Sequence, residues 1–178
     1  MATKAARGVM GDGPKTSRPK FPDGYGIPND MKGVLPWSWV DERMSKARNY
    51  WISSTCPDGR PHVRPVDGVW VEGALCFGGA PTSRWMRNLD ANPAITVHLG
   101  GETEVLILEG VAERVTDAKH SLVAPSQKAS REKYPEYYGG GAMPFAPFWM
   151  FRPRMAYAWT LAEFPKSATR WKLQRSSG

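Results

Sequence analysis

From Tyr50 to Val115 the chain alternates short runs rich in β-branched and aromatic residues with turn signals. One compact basic segment, Thr82-Ser83-Arg84-Trp85-Met86-Arg87-Asn88-Leu89, interrupts the rhythm. Short runs of this kind bounded by Gly, Pro, Asn or Asp read as strands. The spacing predicts strands over 50–55 and 62–66, joined by Pro57-Asp58-Gly59-Arg60, where Pro and Gly each supply backbone that a tight turn favours. Pro65 has no amide to give to a ladder, so the second strand belongs at an edge or a bulge. Residues 68–71 and 74–77 flank Glu72-Gly73, which has hairpin length. Residues 94–99 and 104–115 add two strands around Gly100-Gly101, and Gly110 permits a bend or bulge in the longer one. Residues 154–160 and 169–173 alternate well enough to close the set. Helices are expected over 37–48 with Ser38 as cap, from Thr82 or Ser83 to about Ala91, and over 117–133 on the outside. The stretch 134–148 is rich in Tyr, Gly and Pro and reads as a loop or lid. The sum is a mainly β fold, an antiparallel barrel of about six or seven strands with peripheral helices.

A chain of 178 residues makes about one domain and can bury a core without disulfides or metals. Residues 1–36 are basic, rich in Gly and Pro, and lack apolar periodicity. They read as an N-terminal arm, disordered or laid across a partner subunit, with Phe21, Tyr25 and Ile27 as anchors. Residues 37–178 then form the barrel domain. The formal net charge of +7 favours phosphates, nucleic acid, an acidic membrane surface or an acidic cofactor tail, unless it is only a solvated basic surface. The two cysteines, Cys56 and Cys76, match no zinc or redox spacing and read as free thiols in a reducing cytosol. No apolar leader follows the early lysines, and no run approaches the roughly 18 apolar residues of a membrane span. A cytoplasmic protein without a membrane segment is expected.

The chemistry-bearing candidates gather at the basic segment. A helix start offers unpaired amides and a partial positive charge. Thr82 and Ser83 can add hydroxyl donors there, and Arg84 and Arg87 charge-assisted bonds to phosphate oxygens. Arg64, on a neighbouring strand, can converge on the same oxygens. Spacing alone leaves a second reading open, in which Ser83 only caps and the arginines are solvated. His62, His98 and His120 have no metal-ligand spacing, and the first two read as structural strand residues. Cys56 reads as an exposed, idle turn thiol. No nucleophile elbow, dinucleotide fingerprint or phosphate loop occurs. Trp159 and Trp171, near Arg152, Arg154, Arg170 and Lys172, can stack on a planar ring or nucleobase, or else pack a core or dimer seam.

Three segments carry a family resemblance: ARNYWISSTCPDGRPHVRPVDGVWVEGALCFGG, TSRWMRNLDANPAITVHL and EVLILEGVAERV, with weaker echoes in RPRMAYAW and SATRWKL. Their order over residues 47–115 resembles the pyridoxamine 5'-phosphate oxidase-like superfamily of flavin- and deazaflavin-binding split barrels. The resemblance implies a split β-barrel homodimer with two equivalent cofactor sites at the interface. It implies phosphate contacts from Arg64, Ser83 and Arg84, and it extends the cofactor-binding set to Val66, Thr82, Trp85 and Arg87. Trp85 and Val69 stand where the oxidase has phosphate-binding lysines, with Arg87 as partial compensation, and Val105 where it has a ring-contacting glutamine. These departures argue against a true pyridoxamine phosphate oxidase. They point to a branch that uses FMN or the deazaflavin F420, whose polyanionic tail Lys4, Arg7, Lys15, Arg18 and Lys20 can accompany.

The resulting expectation is an oxidoreductase that binds FMN or F420 and exchanges hydride with a small organic substrate, the ring supplying the chemistry. Two alternatives stand beside it: a non-catalytic flavin or haem carrier of the same fold, and, less favoured, a nucleic-acid-binding barrel.

Overall fold

In the computed structural model, residues 13–141 and 143–174 are described. The first half runs β1 (Lys15–Ser17), α1 (Trp37–Lys46), β2 (Tyr50–Thr55), β3 (Pro61–Val66), β4 (Val69–Val71), β5 (Ala74–Phe77) and α2 (Arg84–Ala91). The second runs β6 (Ala94–His98), β7 (Glu104–Val115), α3 (Val123–Lys133), α4 (Pro135–Tyr138), β8 (Phe148–Thr160) and β9 (Thr169–Lys172).

All pairings are antiparallel, and the sheet order is β1-β9-β8-β7-β6-β2-β3, with β5 also on β8 and β4 on β5. The frame is the β7–β8 ladder, which runs from Glu104↔Thr160 to Val115↔Phe148. β8 serves two neighbours along its length: Met150 and Phe151 pair with β5, while Ala156 to Ala158 pair with β9. One long strand thus splits the sheet into two lobes. The mainly β, antiparallel split barrel implied by the sequence is the observed architecture, with nine strands among the described residues rather than six or seven. The eight runs read from the sequence are all strands, and β1 is the ninth.

Local chemistry accounts for most boundaries. Gly59 has φ of 84°, and the turn is closed by Cys56 N donating to Arg60 O and Gly59 N to Cys56 O, both at 2.8 Å. Glu72 and Gly73 have φ of 50° and 71°, the paired left-handed backbone that a two-residue hairpin with the strand's own twist requires. β3 pairs only with β2 among the described residues, which suits Pro65. The ladder register shifts between Glu109 and Gly110, and Gly110 stands opposite Pro153. A bulge is where a proline inside a strand costs no ladder bond, so β8 continues back through Pro153 to Phe148 instead of beginning at 154.

Three expectations fail for physical reasons. Ser38 is not the α1 cap; Pro36 is, and Ser38 lies in the first turn. The helix expected from 117 begins at Val123, because Asp117 accepts from Lys119 N at 2.8 Å and His120 Nδ1 from Leu122 N at 3.2 Å. Such side-chain bonds to nearby amides compete with helix. Part of the stretch read as an arm belongs to the sheet: Lys15, Thr16 and Ser17 pair with Lys172, Trp171 and Arg170. Arg18 follows, donating to the carbonyls of Asp30 at 2.8 Å, Lys32 at 2.7 Å and Ala168 at 3.0 Å, and to that of Lys166. Its guanidinium is committed to the backbone and is not free for a cofactor tail. Lys4 and Arg7 lie outside the described residues. Phe21 does anchor the segment, with ring centroids 6.0 Å from Trp159 and 5.9 Å from Phe164.

Two apolar clusters form the core, and β5 and β8 contribute to both. Met44, Tyr50, Ile52, Leu75, Leu108, Phe151 and Trp171 belong to the larger, and Val69, Cys76, Leu122 and Met150 to the one beneath α3. Trp171 is fully buried against Trp37, so it cannot stack on a nucleobase; the packing reading holds for it. Arg43 ties α1 to β7 through two parallel bonds to Glu104, at 2.9 and 2.7 Å.

The bulge makes a sharp prediction. A Cβ on Gly110 would lie 2.3 Å from the Arg152 carbonyl oxygen and 2.8 Å from the Phe151 ring. Gly110→Ala must therefore push backbone apart at the centre of the frame. A loss of about 2–3 kcal/mol is expected, the upper range for overpacking. Urea unfolding reads it as a lower midpoint at unchanged slope; an unaltered midpoint would show that the ladder yields freely there.

Candidate functional site

Strand alternation decides which β3 side chains reach the site. Val66, Arg64 and His62 stand opposite Tyr50, Ile52 and Ser54 of β2. Opposed residues of an antiparallel pair share a face. Tyr50 and Ile52 are fully buried, and of the residues sharing their face Val66 is buried, His62 half-buried and Arg64 exposed. α2 packs against β2 and β3. Asn88, 1% exposed, fixes it there by donating to Ser54 Oγ at 3.0 Å and reaching Cys56 Sγ at 3.7 Å. Cys56 is accordingly buried, not the exposed turn thiol expected: the turn folds its side chain under the helix.

Ser83 occupies the cap position of α2 in extended backbone, yet its side chain makes no capping bond. Ser83 Oγ is buried and has no partner. The first-turn amides also lack intrahelical acceptors, and the helix start carries partial positive charge. Arg84 and Arg64 both act on His62, whose pKa is lowered by burial first, then by Arg84 and then by Arg64. Both guanidiniums thus disfavour protonation of the same imidazole. Neither makes an ion pair among the described residues. Arg60 differs, being paired with Asp58 at 2.8 Å. Arg87 donates to the Thr82 carbonyl at 2.6 Å, so it braces the loop before the helix.

A cavity of about 620 Å³ opens beside this helix start. Of the residues singled out from sequence, Val66 and Trp85 line it, whereas Arg64, Thr82, Ser83, Arg84 and Arg87 do not. Trp85 is buried against Phe77 with centroids 5.7 Å apart. A Cβ on Gly79 would sit 2.6 Å from the indole, so glycine leaves it room. Another part of the wall escaped sequence reasoning: Gln127 and Ser130 of α3, then Tyr134, Tyr138, Phe145 and Phe148. Its sequence signal is the aromatic, Gly- and Pro-rich run that reads as a lid.

That wall is pinned to the barrel. Gln127 Nε2 donates to the Met143 carbonyl at 3.1 Å. Lys133 Nζ donates to Tyr50 Oη at 2.7 Å, and Tyr50 Oη to the Met44 carbonyl at 2.5 Å. Tyr134 Oη accepts from Gly68 N at 3.1 Å, its own proton serving the carbonyls of Arg48 and Gly68 at 2.8 and 2.9 Å. Burial, and then Arg48, lowers the Lys133 pKa to about 8. Burial, and then Tyr134, raises that of Tyr50.

The histidines take no part in the cavity wall. His98 stacks on Trp51, 6.2 Å away with planes 11° apart. Among the described residues no group of three His, Cys, Asp or Glu side chains could hold a metal, and no helix is long and apolar enough to cross a membrane.

Residues 40–159 match the family described as pyridoxamine 5'-phosphate oxidase. Among curated proteins, no sequence matches significantly. Solved structures share the fold. The conserved hypothetical protein Rv2991 of Mycobacterium tuberculosis is 17% identical, with a TM-score of 0.60 over 75% of this chain and 90% of that one. The haem storage protein HutZ of Vibrio cholerae is also 17% identical, with a TM-score of 0.54 over 65% of this chain and 88% of its own. A FAD-binding protein of Mesorhizobium loti is 14% identical, with a TM-score of 0.54 over 79% and 96%.

The Lys133 anchor carries a pH signature. An unfolded lysine keeps its proton to about pH 10.4, while folded Lys133 loses it near 8. Between about pH 8 and 10 the unfolded chain holds the extra proton, so unfolding free energy rises with pH in that window. Above about 10 the raised Tyr50 pKa acts oppositely. Lys133→Met should flatten the rise in a series of urea unfolding curves; identical slopes for both proteins would show that the fold does not desolvate Lys133.

Proposed function

Since the chain belongs to the pyridoxamine 5'-phosphate oxidase family, we propose that it is an oxidoreductase that binds FMN or F420 and exchanges hydride with a small organic substrate. The observation that carries this reading is the buried, unpartnered Ser83 Oγ at the start of α2, next in sequence to Arg84, which together with Arg64 acts on the His62 ring. A phosphate needs such hydroxyl and amide donors with charge-assisted contacts from guanidiniums. The residues present fit that group. Thr82, at the loop before the helix, would add a contact, with Arg87 holding that loop in place. Val66 and Trp85 carry the site from this cationic rim into the cavity, whose volume lies within the roughly 300–1,000 Å³ usual for small-molecule sites.

When bound, the flavin or deazaflavin ring supplies the hydride chemistry. The chain's own residues bind the phosphate, present apolar walls to the ring and keep bulk water from it. Trp85 and Val69 in place of lysines leave two free arginines to bear the charge. The carrier reading has a relative in haem storage, yet no histidine lines the cavity among the described residues, which favours flavin or deazaflavin over haem. Two free, buried thiols fit a reducing, cytoplasmic setting.

Arg84→Ala should weaken FMN or F420 binding about 10- to 150-fold, the loss of one charge-assisted bond. Titration followed by cofactor absorbance or fluorescence measures it, and the same scan separates flavin, deazaflavin and haem. Undiminished affinity for both FMN and F420 would remove Arg84 from the phosphate site.

We also propose a homodimer. Pro65, Trp51, His98, Ile107, Tyr157 and Arg170 form one cross-strand row over β3, β2, β6, β7, β8 and β9. The row lies on the face away from the core, and the helices pack on β2, β3 and β4 rather than over its centre. Trp51 is 37% and neighbouring Val63 46% exposed, apolar surface that a second copy would cover. Light scattering should give a dimer at micromolar concentration and a monomer for Trp51→Glu. A monomeric wild type would end this proposal.

A further inference from the structure

The cationic rim and the cavity carry opposite electrostatics. The rim holds Arg64 and Arg84, which make no ion pair among the described residues. The cavity is lined by the rings of Phe77, Trp85, Tyr134, Tyr138, Phe145 and Phe148, and among the described residues no Lys, Arg or His takes part. Its one ionised side chain is Asp67, exposed and without an ion pair among the described residues. This is unusual company for a free carboxylate in a chain with 24 Lys and Arg against 17 Asp and Glu. Tyr138 is 38% exposed, so this ring and the carboxylate, both in the cavity lining, also meet solvent. Asp67 also lies near the inner wall: burial raises the Tyr134 pKa, and the Asp67 charge adds to the rise.

We propose that the cavity selects an organic cation, a protonated or quaternary amine on an apolar, planar body, by aromatic faces and the Asp67 carboxylate. Ring faces carry negative potential and attract ammonium groups, most strongly where water is displaced. Asp67 supplies the full charge that fixes orientation, and the uncharged walls take the apolar body. An anion entering the hollow meets Asp67, while the nearest cations, Lys133 and Arg48 against Tyr134, are engaged by Tyr50 and Gly68 and by Glu136, so phosphate-bearing groups are directed to the rim instead. The two ligand classes are sorted by sign within one continuous site. This rests on the oxidoreductase reading only in calling the cation a substrate; the binding preference belongs to the cavity itself.

The test uses the full chain, freed of any coloured cofactor, and three probes of matched shape: 4-phenylbutylamine, 4-phenylbutan-1-ol and 4-phenylbutyrate. Calorimetry or quenching of tryptophan fluorescence gives their affinities. The overall charge of +7 favours the carboxylate and repels the amine, so any preference for the amine reports the local site. The amine should bind roughly 10-fold tighter than the alcohol, with the carboxylate weakest. Asp67→Asn should erase the amine's advantage and leave the alcohol unchanged. Tyr138→Ala should weaken the amine. An amine that binds no tighter than the alcohol, or not at all, overturns the proposal. So does an advantage that survives Asp67→Asn. Loss of cofactor binding in the wild type would instead overturn the oxidoreductase reading and leave the probe series intact.

Discussion

The β7–β8 ladder is the constraint on which the rest of the structure depends. Every other strand reaches the core through it: β6, β2 and β3 follow from β7, while β9, β1, β5 and β4 follow from β8. Its one irregularity, at Gly110 and Pro153, lets β8 change partners between its two halves. Without that shift the strand would present one unbroken edge, and the lobe bearing β4 and β5 would have no separate place to pair. The cavity lies along that second lobe, so a bulge in the frame sets where the cavity can form.

The site itself is assembled by a second, smaller set of contacts. α2 is held from beneath by Asn88 on Ser54 and by Met86, whose sulfur accepts from Trp149 Nε1 at 3.0 Å. These contacts fix the rotation of a short helix whose own propensity could not hold it. With that rotation set, Trp85 turns into the barrel and Arg84 outward, which separates an apolar wall from a cationic rim within two consecutive residues. Burying a polar Asn side chain is costly unless its hydrogen bonds are made; here they orient the site.

Opposite charge on rim and hollow has a further consequence. A basic surface speeds the approach of any anion, substrate or not. A carboxylate at the hollow's open side restores discrimination where approach alone offers none. Trp85 and Val69 face the hollow with apolar groups, and among the described residues Asp67 is the one formal charge in the lining.

Local chemistry was legible in the sequence wherever one residue type forces one backbone. Gly59 and Gly73 marked turns, Pro65 marked an edge, and Gly110 marked the bulge, because each depends on sterics or a missing donor within a few residues. The strand set and split-barrel class followed from these. What stayed hidden depends on partners distant in the chain. Cys56 looked exposed because it sits at a turn, but Asn88 lies above it. Trp171 looked available for stacking, but Trp37 and the core enclose it. Arg18 read as part of a basic arm, but carbonyls from two remote segments take its guanidinium. The aromatic wall and Asp67 meet only because α3 and its following loop fold back on β4 and β5. Periodicity reports which face of an element is apolar, whereas only the tertiary structure decides what that face meets.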